Sequence, residues 1–68
     1  MDIIEALKQA LEGEKSSRDL YRRCAEEAED AEGRAIFEAM AQDEEHHFGI
    51  IKERLTALML RKQRTQKE

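Results

Sequence analysis

The chain has 68 residues, a net charge of −4, no Pro, three Gly, and 41% Asp, Glu, Lys and Arg against 4% aromatic residues. A chain this short is one small domain whose own core seldom supplies more than about 3 to 5 kcal/mol, so a partner or a bound metal is expected to complete it. The acidic balance speaks against nucleic acid and for cations, and the lack of any apolar run or apolar leader speaks against a membrane span or secretion.

Highly charged, Pro-free composition predicts an all-α protein. The single cysteine, Cys24, makes neither an internal disulfide nor a thiolate iron site, which fits a reducing cytoplasm. Asp2 followed by Glu5 predicts a capping box that opens helix 1, expected over about residues 3–29. From there Ile3, Leu7, Ala10, Glu14, Ser17, Tyr21, Cys24 and Ala28 alternate spacings of four and three, a heptad-like seam. Ile4, Leu11 and Ala25 widen it. Two seam members, Glu14 and Tyr21, are polar in a way that packing alone would not select.

The segment Glu29–Gly33 breaks the apolar spacing and offers Asp30 as an N-cap, so a tight turn is expected near Asp30; one uninterrupted helix is the alternative. Helix 2, expected over about residues 31–62, carries Ile36, Phe37, Met40, Ala41, Glu44, His47, Phe48, Ile51, Leu55, Leu58 and Met59 at helical spacing. The remainder, Arg61 to Glu68, has no apolar residue and reads as a frayed, solvated terminus, its cations suiting the negative end of a helix.

Glu44 and His47 are three residues apart, so they project from one helix face and could hold one ion from adjacent turns. With a turn near Asp30, Glu14 lies sixteen residues before it and Glu44 fourteen after. At a rise of about 1.5 Å per residue, both then stand at nearly the same height, about 20 Å from the loop. One hairpin thus offers two carboxylates and one imidazole at one level. A two-helix hairpin cannot cover its own apolar stripe, and twofold dimerisation into a four-helix bundle completes it, bringing four Glu and two His into one core. Two divalent cations would neutralise the four carboxylates, each of which costs several kcal/mol if buried unpaired. Oxygen-rich ligation with some imidazole suits Fe, with Mn as the other fit, better than structural Zn.

Glu14, Tyr21 and the run AEEAEDAEGRAIFEAMAQDEEHH ending in Glu44 and His47 resemble the rubrerythrin branch of the ferritin-like superfamily, over about Ala6 to Leu55. The resemblance implies that Glu14, Glu44 and His47 are iron ligands, with Glu44 bridging, two irons per dimer, and Tyr21 a phenol hydrogen-bonded to a ligand carboxylate. Rubrerythrins carry two helix pairs and usually a rubredoxin domain with four cysteines, whereas this chain has one pair and one cysteine. Its half length is more similar to encapsulated ferritins, which build a di-iron site between subunits inside a protein shell, although RKQRTQKE is unlike an apolar cargo peptide and Leu20 precedes Tyr21 where those proteins tend to have Trp.

The implied function is Fe(II) binding at a subunit interface and its oxidation by O2 or peroxide, a ferroxidase or peroxidase-type oxidoreductase in a homodimer or a ring of dimers. Peroxidase turnover would take electrons from a separate donor protein. The alternative is a metal-free hairpin that dimerises or docks on a partner, with Glu14, Glu44 and His47 as a polar stripe setting register, and Tyr21 as an ordinary interfacial residue. His46 lies about 100° from His47 and is expected exposed, as are Asp43 and Glu45. Cys24 is expected to be a small buried hydrophobe, and Met40 and Met59 core fillers. Gly13 permits either a close backbone approach or a local distortion.

Overall fold

The computed structural model describes residues 1–67, with side chains as far as Arg64. Two helices, α1 (Ile3–Glu27) and α2 (Ala31–Lys67), form an antiparallel hairpin, a rod measuring 58 × 18 × 11 Å. Asp2 caps α1 in extended backbone, its Oδ1 accepting from the Glu5 amide at 2.8 Å. That is half of the expected capping box; among the described residues the return bond from the Glu5 side chain is absent.

α1 ends at Glu27, short of the expected end near residue 29. Ala28 leaves the helix with ψ 135, and the last turn of α1 holds no basic residue. Glu26, Glu27 and Glu29 crowd the negative end of the helix dipole, which disfavours prolonging it. Asp30 then starts α2: its Oδ1 accepts from the Gly33 amide at 2.6 Å and its carbonyl from the Arg34 amide at 3.1 Å. A Cβ on Gly33 would lie 2.9 Å from that same Oδ1, so a side chain there would make the Asp30 carboxylate shift. The turn itself uses no positive φ.

The tail differs from expectation in one respect. The backbone stays helical to Lys67, past the expected end near residue 62, while Arg61, Lys62, Gln63 and Arg64 are exposed as expected. Side chains beyond Arg64 lie outside the described residues.

Only Ala25, Ala41 and Leu55 are buried among the described residues. Leu7, Leu11, Phe37, Phe48, Ile51 and Leu58 are half-buried between the helices. By contrast, Ile3 (59%), Ile36 (51%) and Ile50 (37%) are exposed. Ile36, His47 and Leu58 are eleven residues apart, three turns, so they form one line along α2. The apolar stripe is therefore wider than one neighbouring helix can cover.

Candidate metal centre

Glu14 stands near the middle of α1, and Glu44 and His47 on consecutive turns of α2. The hairpin brings one ligand atom from each within 4.8 Å of the others. His47 Nδ1 is 3.5 Å from Glu14 Oε2 and 3.9 Å from Glu44 Oε1. The two carboxylates are largely covered, with side chains 25% and 19% exposed, while His47 is 51% exposed on the uncovered stripe. The centre thus opens toward the face that the hairpin leaves bare.

Glu14 Oε2 is inaccessible to solvent and has no hydrogen-bond partner. A buried, unpartnered carboxylate oxygen is costly unless a proton or a cation satisfies it. The Glu44 carboxyl is held above the usual carboxylate range, first by the hydrogen bond a proton on it would share with Glu14, then by burial and by the charge of Glu14; His47 opposes the shift. With both carboxylates ionised that bond does not exist, and the two like charges face each other. An oxygen-rich set with one imidazole, aimed at one point and short of positive charge, fits iron or manganese.

Tyr21, two turns from Glu14, is half-buried and its hydroxyl makes no hydrogen bond among the described residues. Within one hairpin it is not joined to the three candidate ligands. His46 is exposed as expected, its ring 6.4 Å from that of His47. Cys24 is a free thiol, half-buried rather than buried. A Cβ on Gly13 would meet nothing within 4 Å, so no backbone approaches closely there within the hairpin.

Glu45 is exposed as expected, and it is also ion-paired across the hairpin. Its Oε2 accepts from Arg18 Nη1 at 2.8 Å and lies 3.6 Å from Arg22 Nη2. Arg18 also reaches Asp19 at 3.1 Å, lies 5.9 Å from the Phe48 ring centroid, and is held charged by these carboxylates, Glu45 first. Sequence reading passes over Arg18, although a signal is there. It stands seven residues after Leu11 and seven before Ala25, both on the stripe that meets α2, so it had to find a partner across the interface.

Among the described residues no helix is long and apolar enough to cross a membrane. No curated protein and no solved structure matches the chain. The family model for Rubrerythrin does match, over residues 5–68, which takes in all three candidate ligands and nearly the whole sequence. With an all-helical hairpin and a carboxylate–imidazole cluster at its middle, the chain belongs to the Rubrerythrin family, a ferritin-like family of di-iron proteins.

Proposed function

We propose that two copies of the hairpin pair into a four-helix bundle, hold two irons at their interface, and couple Fe(II) oxidation to reduction of O2 or peroxide. The observation that carries this reading is Glu14 Oε2, enclosed and unpartnered 3.5 Å from His47 Nδ1. Family membership supports iron as the metal.

Each copy contributes Glu14, Glu44 and His47. Glu14 and Glu44 would supply the negative charge that holds divalent cations, Glu44 as the shared carboxylate that the family resemblance implies. His47 gives a neutral nitrogen through Nδ1, the atom that faces both carboxylates. Tyr21 offers a phenol on the same face of α1 as Glu14, available to a ligand carboxylate once the second copy closes the bundle. These residues would hold iron, which when bound would supply the electrons that reduce the oxidant. The single cysteine of these 68 residues forms no four-thiolate electron-transfer centre, and peroxidase turnover would draw on an electron donor outside them. Such a protein would work in the cytoplasm or inside a protein shell.

An anaerobic Fe(II) titration of metal-free protein, followed by air, tests the proposal with absorbance and mass followed together. Saturation near one iron per chain, a dimeric mass and rapid ferric absorbance in air are expected. No binding and an unchanged mass would leave a metal-free helical docking module in its place.

A further inference from the structure

α2 is longer than α1, and its excess is basic. Facing Ile3 across the open end of the hairpin are Leu58 and Arg61, which line apolar clefts with it. Beyond them α2 runs on alone to Lys67, carrying Met59 and Leu60, 45% and 52% exposed, with Arg61, Lys62 and Arg64. No acidic residue falls between Met59 and Lys67. The opposite end of the rod is the reverse: Glu26, Glu27, Glu29, Asp30 and Glu32 crowd the turn.

Resting on the two-copy reading above, we propose that the second copy lies antiparallel on the exposed stripe, and that each basic overhang docks on the acidic turn of the other copy. The level of the metal centre fixes the register. Arg61 lies seventeen residues beyond Glu44, about 25 Å along α2, and Asp30 sixteen residues beyond Glu14, about 24 Å in the other direction. A twofold axis across the rod at the centre therefore brings Arg61 of one copy level with Asp30 of the other, with Lys62 and Arg64 just past it.

The apolar surface agrees with this register. Ile36 stands eight residues before Glu44, about 12 Å toward the turn, while Leu7 and Arg54 stand about 10 and 15 Å toward the open end. The same axis brings exposed Ile36 to the cleft of about 280 Å³ that Ile3, Leu7, Arg54 and Leu58 line on the other copy. A parallel pair would instead set five acids against five acids at one end and gather the cations at the other. Like charges brought together in that way oppose association, whereas opposite charges steer it.

The test uses the full chain with Cys24→Ser, a nitroxide on Glu29→Cys, and Zn(II) as a diamagnetic metal, the dimer being verified by mass. Glu29 is fifteen residues from Glu14, so pulsed EPR should read about 45 Å between copies in the antiparallel arrangement and under about 20 Å in the parallel one. Reversing Lys62 and Arg64 to Glu should weaken dimerisation about three- to tenfold at low salt, and Glu29→Lys with Glu32→Lys in the same chain should restore it. A short distance in a dimeric sample, or no effect of the reversals, overturns the antiparallel docking and leaves the two-copy bundle standing. A monomeric mass with metal present overturns both.

Discussion

Arg18 Nη1 on α1 lies 2.8 Å from Glu45 Oε2 on α2, and only 15% of the arginine side chain is exposed. Arg18 is one turn beyond Glu14, and Glu45 is the neighbour of Glu44, so the pair fixes the height of one helix against the other beside the candidate ligands. Sliding α2 by one residue moves it about 1.5 Å and would lengthen this bond past its useful range. Arg18→Met should lower the melting temperature by about 4 °C or more and weaken metal binding, with Arg18→Lys recovering only part because it lacks the planar fork. Circular dichroism on both single variants and the Arg18→Met/Glu45→Gln double variant checks the pairing. Strictly additive losses would show that the two side chains do not act together.

Glu14→Gln should separate stability from metal binding. An amide in place of the enclosed carboxylate can donate a hydrogen bond to Glu44, which satisfies a buried group and removes a repulsion. The metal-free variant is expected to melt higher than the parent while calorimetry shows Fe(II) or Co(II) affinity reduced at least a hundredfold. Unchanged metal affinity would remove Glu14 from the ligand set.

Stability of the metal-free protein should depend on pH in a stated direction. The Glu44 carboxyl titrates above its ordinary range in the folded chain, so the fold binds its proton more tightly than the unfolded chain does. The contribution is fully present below the ordinary carboxylate range and is lost as pH rises through the raised value. Urea midpoints measured across that window should fall with rising pH in the parent and fall less in Glu44→Gln. Metal affinity should run the opposite way, because the ion competes with that proton.

Leu55→Ala removes the largest of the three buried residues. A cost of about 2 to 4 kcal/mol is expected for such a truncation, comparable with the about 3 to 5 kcal/mol that so small a core supplies. Metal-free Leu55→Ala should be mostly unfolded by circular dichroism near 37 °C and regain helicity when Zn(II) is added.

Two glycines in α2 should respond differently to the same change. Gly49→Ala meets nothing within 4 Å and should stabilise the helix by about 0.5 to 1 kcal/mol. Gly33→Ala places a methyl 2.9 Å from Asp30 Oδ1, so the cap must shift; the gain expected at Gly49 should be cancelled, and any loss should stay below the about 1 kcal/mol expected for Asp30→Ala. Thermal melts of the three variants decide it; a stabilising Gly33→Ala would mean that the carboxylate moves aside freely.

What the sequence made legible follows from local rules. Asp2 and Asp30 cap because their side chains reach an amide three residues on, and Glu14 meets Glu44 and His47 because both helices rise equally from a turn whose place Asp30 marks. The end of α1 is less legible, since Ala28 leaves the helix where acidic residues crowd its negative end rather than at a breaking residue. The division of the apolar stripe was not legible at all. Ile3, Leu7, Ile36 and Leu55 all belong to the apolar stripe, yet Leu55 is buried while Ile3 and Ile36 stay exposed, because a stripe wide enough for two neighbours does not say which neighbour each residue meets. The role of Arg18 is hidden for a related reason, as its partner Glu45 sits 27 residues away on the other helix.

The sparseness of the buried set has a consequence for how the protein exists in a cell. With Ala25, Ala41 and Leu55 alone fully covered among the described residues, one copy has little to resist unfolding, and a second copy laid on the exposed stripe would add much of the stabilising free energy. On the proposed two-copy reading, assembly is second order in the amount of protein made, so abundance would set what share of the chain is held as metal-competent pairs.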